Sequence, residues 1–277
     1  MKVFINDCLT EFPESSGVAI IDPTDRGLTL GDGLFETISV NNGHILRLNA
    51  HINRLRQGAS IIDIQLPMDD INLIAAIDSI VKANKIKNGV IRLTLTRGPS
   101  LRGLLPSRSP SPSLIITTSN HASDFDAIRC VTTIVASVTR CNEKSPLSRI
   151  KSLNYLDNIL ALNEARSKGA DDALLLNSAG QLTSASTSNI FAVISGKLVT
   201  PPIMDGCLSG VIRAEVIREL DVVLRSISPL EIAEASEAFL TNCLSVRPLI
   251  SNNGKTVGDG KVGSVTRQVQ NLVLKIR

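Results

Sequence analysis

The chain has 277 residues, 43% apolar and 20% charged, with a formal net charge of +3. This balance excludes a disordered chain, and the scattered basic residues exclude the footprint of a nucleic-acid-binding protein. No apolar run reaches the roughly 18 residues that a membrane span needs.

In chain order, residues 3–5 read as an apolar strand, and residues 18–21 as another that ends at the turn Asp22-Pro23. The N-terminal stretch carries Asp7 and Glu11 and lacks the apolar core of a signal peptide, and the five dispersed cysteines argue for reduced thiols in a cytosolic protein, so a cytoplasmic location is expected. Residues 35–40 alternate Phe35, Thr37 and Ser39 against Glu36, Ile38 and Val40, and Asn41-Asn42-Gly43 turns them into a hairpin with 44–46. Asn49 is placed to cap a helix through Ile52, Leu55 and Ala59, and Asp69-Asp70 precede a second with Leu73, Ile77 and Ile80 on one face. Residues 90–96 are a β-branched strand, 99–112 a mobile Pro/Ser/Arg-rich surface loop, and 114–118 a strand.

Residues 119–126 read as a linker between two α+β domains, a smaller one over 1–118 and a larger one over 127–277. Beyond the linker, 128–138 is strand-like. A helix is expected over 154–168, with Leu156, Ile159, Leu160 and Asn163 on one side and Gly169 at its end. A buried strand over 173–176 follows, then a hairpin of 190–194 with 197–200. Ser209 is placed to cap a helix through Val216, and an amphipathic helix through Val265, Val269 and Val273 closes the chain. With no Trp, one Tyr and six Phe, the core must be mainly aliphatic. Five dispersed cysteines without CxxC spacing suit reduced thiols, and three isolated histidines make no metal site.

Four stretches stand out: Gly31-Asp32-Gly33-Leu34-Phe35-Glu36-Thr37, His51-Ile52-Asn53-Arg54-Leu55, Ile150-Lys151-Ser152-Leu153-Asn154, and Ser188-Asn189-Ile190-Phe191 with Leu208-Ser209-Gly210-Val211-Ile212-Arg213. Singly, each has an ordinary explanation. A lysine beside apolar residues commonly snorkels to water, a helix-start serine commonly caps, and a helix arginine commonly forms a salt bridge. Each also has a chemical one. An apolar setting favours the neutral amine that Schiff-base chemistry requires, and a helix start favours phosphate.

The ordered series GDGLFET, HxxRL, RGxxxRG, IKxLN, SNIF and LSGVIR, with the late Thr241-Asn242, resembles the fold-type-IV pyridoxal-phosphate enzymes over roughly residues 15–250. The resemblance is greatest to their 4-amino-4-deoxychorismate lyases, whose reaction gives 4-aminobenzoate and pyruvate in folate biosynthesis. It implies a two-domain α+β fold with a barrel-like sheet in the larger domain, pyridoxal 5'-phosphate as cofactor and a homodimer. It further implies that Lys151 bonds the cofactor and moves protons. Arg54, Thr241, Asn242 and the backbone N–H groups of Val211 and Ile212 would hold the phosphate, and Leu208 would pack on the pyridine ring. Thr37 would assist protonation, and Phe35, Arg97 and Arg102 would line the substrate site.

The sequence departs from the family at Ser184, where a glutamate usually faces the pyridine nitrogen. A serine there implies a weaker electron sink, which disfavours transamination more than elimination. D-amino-acid aminotransferases place a histidine where Leu104 stands and a tyrosine where Phe35 stands, and both differences count against D-amino-acid transamination. The alternatives are a branched-chain or D-amino-acid aminotransferase, and a non-catalytic relative that Ser184 would suit.

Overall fold

The computed structural model describes residues 1–11, 21–121 and 128–275, so the expected strand at 18–21 and most of the expected linker lie outside the described residues. The chain divides into two compact units: Met1–Ser123 with Ile150–Asn154, and Asp124–Arg149 with Tyr155–Arg277.

The first unit comprises β1 (Lys2–Ile5), β2 (Cys8–Glu11), α1 (Arg26–Leu30), β3 (Gly33–Asn41), β4 (His44–Ile45), α2 (Leu48–Ile61), α3 (Asp70–Ala83), β5 (Gly89–Thr96) and β6 (Ser113–Asn120). Its strands form one antiparallel sheet in the order β2-β1-β6-β5-β3-β4. Leu34, Ile38 and Val40 of β3 share a core with Ile52 and Leu55 of α2 and Leu73, Ile77 and Ile80 of α3. Each such side chain contributes about 1.5–3 kcal/mol on burial. Because strand side chains alternate, Glu36 falls on this helix-covered face, while Phe35, Thr37 and Ser39 fall on the other.

The second unit comprises β7 (Val131–Val135), α4 (Leu156–Ser167), β8 (Asp172–Leu176), β9 (Leu182–Ala185), β10 (Asn189–Ile194), β11 (Lys197–Thr200), α5 (Val211–Glu219), β12 (Val222–Leu224), α6 (Pro229–Glu234), β13 (Glu237–Thr241), β14 (Val246–Asn252), β15 (Lys255–Thr256) and α7 (Ser264–Lys275). Its mixed sheet runs β12-β11-β10-β13-β14-β7-β8-β9, with β15 beside β14. The sheet curls, since Ala185 N–H at the end of β9 donates to Ser188 O just before β10, a central strand. A mainly aliphatic core fills it, with Phe191 and Phe239 stacked across β10 and β13 at 5.2 Å. Among the described residues no helix is long and apolar enough to cross a membrane, and the five cysteines are free.

Several expectations need correction. Ile150–Asn154 belongs to the first unit, not to the larger C-terminal one, because Phe35 N–H donates to Lys151 O and Leu153 N–H to Gly33 O. The expected linker begins too early, since Ser119 and Asn120 pair with Val90 and Gly89 at the end of β6. The strand expected over 128–138 shortens to the five residues of β7.

The helix over 154–168 forms as α4 but buries the opposite face. Ala161, Glu164 and Ala165 are inside, while Leu156, Ile159 and Leu160 are exposed. Small Ala residues permit close approach to β8, and Glu164 is accepted inside because Ser137 donates to it through both its N–H and its hydroxyl. Two expected caps also shift by one or two residues. Arg47, with left-handed backbone, precedes α2 in place of Asn49, and Gly210 precedes α5 in place of Ser209, neither with a side-chain cap bond.

Candidate active site

In the first unit, residues 151–153 run antiparallel beside residues 33–35, on the β3 edge opposite β5. This pairing fixes Lys151 beside Phe35. Lys151 Nζ lies 4.1 Å from the centre of the Phe35 ring, and the Arg92 guanidinium lies 3.5 Å from the same centre. Arg92 is the cross-strand partner of Thr37, so it projects from the same face of the sheet as Thr37 and Phe35. Phe35 is only 6% exposed, whereas Arg92 is exposed and Lys151 and Thr37 are half-buried. A ring face attracts cations, and here it gathers two.

On the helix-covered face, Glu36 is nearly inaccessible. Arg54 donates to both its oxygens, Nε to Oε1 at 2.8 Å and Nη2 to Oε2 at 2.6 Å. His51 Nδ1 meets Oε2 at 2.7 Å. Burial works to raise the Glu36 pKa, but the Arg54 and His51 hydrogen bonds outweigh it and bring it down to about 2. Burial lowers the His51 pKa against the pull of Glu36, and the charges of Arg54 and Lys151 add to the lowering. A neutral His51 then donates its Nδ1–H to Glu36, which locks the edge of Arg54 that the carboxylate grips.

Arg97 has a different task from the expected one of binding substrate. Buried, it makes four hydrogen bonds within the fold, two to Asp32 and one each to Ile62 O and Asp63 O. Arg102 lies exposed on the loop between β5 and β6.

In the second unit, Asn189 of β10 is paired with Thr241 of β13 and donates through Nδ2 to Leu208 O. Gly210 comes so close that a Cβ there would sit 2.0 Å from Asn189 Oδ1. The first helical bond of α5 is Ala214 N–H to Gly210 O, so the N–H groups of Val211, Ile212 and Arg213 precede the ladder, behind an N-cap glycine that has no side chain to cap them. The Thr241 hydroxyl is buried and has no hydrogen-bond partner. Asn242 instead folds back on its own turn, accepting from Leu244 N–H and Ser245 N–H and donating to Ser188 Oγ. Ser184 is half-buried on β9 opposite Leu175, with Thr183 Oγ1 3.4 Å from its hydroxyl.

A helix start behind a glycine that cannot carry a Cβ and a buried hydroxyl without a partner are features that suit a phosphate dianion. A model of the amino-transferase class IV family matches residues 33–251.

The chain belongs to that family.

Pyridoxal 5'-phosphate is the family's cofactor. Taken by itself, the first unit holds a lysine amine of the kind that bonds its aldehyde, and the second, taken by itself, holds a helix start and a buried hydroxyl of the kind that suits a phosphate. A D-alanine aminotransferase of Listeria innocua is 31% identical over 98% of this chain and 94% of its own length. The crystal structure of the branched-chain aminotransferase of Thermoproteus uzoniensis, with norvaline, is 28% identical at a TM-score of 0.89, covering 99% of this chain and 94% of that one. A Legionella pneumophila structure described as a candidate 4-amino-4-deoxychorismate lyase is 27% identical at a TM-score of 0.86, covering 96% and 98%. The class IV fold therefore spans nearly the whole chain.

Sequence reasoning missed three participants. Glu36 and His51 lay inside the quoted motifs, but nothing local said that they face each other across β3 and α2. Arg92 carried no motif signal at all, and only the register of β3 against β5 brings it to Phe35.

Proposed function

We propose that the protein is a pyridoxal-phosphate-dependent aminotransferase that exchanges the amino group of an amino acid with a 2-oxo acid. The observation that carries this reading is the pair of cations over Phe35, an exposed guanidinium beside a half-buried lysine amine. When bound, the cofactor supplies an electron sink that acidifies the C–H next to the substrate nitrogen. Lys151 Nζ bonds the cofactor and serves as the base and acid at that carbon. The Phe35 ring limits the directions from which the amine can approach. Arg92, and Arg102 from the loop, anchor the substrate carboxylate. In the first unit Arg54, oriented by Glu36, is a phosphate ligand. In the second, the N–H groups of Val211 and Ile212 and the Thr241 hydroxyl are phosphate ligands. Leu208 packs on the pyridine ring. The family relationship to named aminotransferases supports amino transfer over the lyase expected from the sequence. A cytoplasmic homodimer is part of the proposal, in keeping with the free cysteines.

The lyase remains a second reading because of Ser184, whose hydroxyl cannot protonate the ring nitrogen as a carboxylate would. Thr37, on the same face as Phe35, would then assist proton delivery to the departing enolpyruvyl group. The test is incubation of the purified holoenzyme with L- and D-amino acids and 2-oxoglutarate, and separately with 4-amino-4-deoxychorismate. Formation of glutamate supports the proposal. Pyruvate and 4-aminobenzoate without amino transfer would replace it with the lyase. Ser184→Glu is expected to speed the amino-acid half-reaction by about tenfold and to shift the cofactor absorbance. An unchanged rate and spectrum would remove Ser184 from the argument.

A further inference from the structure

The loop between β5 and β6 has no regular element, and its residues 101–110 are all exposed, yet it is tied down at three places by one dipeptide. Asp25, 1% exposed, accepts from Thr96 Oγ1 at 2.9 Å at the near root of the loop and from Ser113 Oγ at 2.8 Å at the far root. Arg26, 6% exposed, donates from Nη1 to Gly103 O at 3.0 Å and from Nη2 to Leu104 O at 2.7 Å, near the middle of the loop. Its Nε is held by Asp32 at 2.8 Å, and the same carboxylate receives Arg97. Burial works to raise the Asp32 pKa, but the two arginines outweigh it, so the carboxylate stays charged.

The backbone continues the pattern. Arg26 N–H donates to Gly98 O, and Ser100 N–H to Thr24 O. The two roots approach so closely that a Cβ on Gly98 would lie 1.8 Å from Ser111 O, and its φ of +86° suits glycine alone. Nothing in the apolar core needs Arg26 to reach a surface loop. A buried arginine that spends both terminal nitrogens on two successive carbonyls of an exposed loop fixes the path of that loop.

We infer that Asp25 and Arg26 form a latch that sets the course of residues 97–112, and that Arg26 is thereby a positioning residue for Arg102, the residue directly before the two latched carbonyls. The ligand class is a carboxylate-bearing small molecule. The role of Arg102 rests on the reading proposed above, whereas the latch does not.

Native trypsin digestion of the holoenzyme reads the latch, since Arg102 and Arg108 are exposed cleavage sites. Arg26→Met is expected to accelerate cleavage at both by about tenfold or more, as local opening becomes easier. The Kd for maleate, followed through the cofactor absorbance and so independent of turnover, should rise by about tenfold. In the Arg102→Ala background, Arg26→Met should add no further loss of maleate affinity, because the two act through one contact. Ser113→Ala leaves the Arg26–Asp32 pair intact and should give the same direction with a smaller effect, which covers failure of Arg26→Met to fold.

Unchanged cleavage overturns the latch. Faster cleavage with unchanged maleate affinity, or no maleate binding by the wild type, overturns the positioning role. If no amino group is transferred but both expected shifts occur, the aminotransferase reading falls and the latch stands.

Discussion

The two units treat their polar residues in opposite ways. In the first, the Glu36–His51–Arg54 cluster answers its own charges: a buried carboxylate takes three hydrogen bonds from two side chains. In the second, α5 starts behind a glycine that has no side chain to cap it and the Thr241 hydroxyl lacks a partner, although neither helps the fold. Under the function proposed above, the open set belongs to the cofactor phosphate. The difference also separates stability from binding, since changes at Glu36 and His51 should cost folding energy first, whereas changes in the open set should cost cofactor affinity.

The strongest break of that contrast is Lys151→Ala. It should abolish both turnover and the visible absorbance of lysine-bound cofactor while the protein remains folded by circular dichroism. Retained turnover would mean that another amine does the chemistry.

Next in size is Glu36→Gln, which leaves Arg54 beside a neutral group and should cost about 3–5 kcal/mol of stability in the cofactor-free protein. Its pH signature has a definite sign. The Glu36 carboxyl is lowered from 4.5 to about 2, so its stabilising share is complete above about pH 4.5 and is lost as the pH falls toward about 2. The glutamine variant should lack that acid dependence. Denaturant melts across this window would show it, and parallel curves would refute the role given to Glu36.

The smallest effect sharpens the comparison most. Thr241→Val removes an unsatisfied hydroxyl, so the Tm of the cofactor-free protein should hold or rise slightly. Cofactor affinity should fall by about 1–2 kcal/mol, measured as a Kd for pyridoxal 5'-phosphate. A drop in the cofactor-free Tm with unchanged affinity would return Thr241 to an ordinary structural role.

Much of this was legible in the residues. Alternation along 33–41 gave β3, the turn Asn41-Asn42-Gly43 gave the hairpin, and apolar spacing gave α3 with Asp69 as its N-cap. These are local matters, decided by backbone preference and period. Where the sequence misled, the reason was long-range. The apolar stripe of α4 pointed to the wrong face because β8 selects the small face with Ala161 and Ala165. Arg97 read as a substrate ligand until Asp32 and two carbonyls at the end of α2 claimed it.

The sequence by itself determined the family and many of the elements, and it singled out Lys151 as the amine proposed to react, because motif order and period survive without knowledge of contacts. Only the tertiary structure decided that Lys151 leans on Phe35 beside Arg92, that Glu36 is clamped and that Thr241 is left open. Those facts depend on strand register and on which faces meet. A register shift of one residue would exchange Phe35 with Glu36 across the sheet and leave the sequence unchanged.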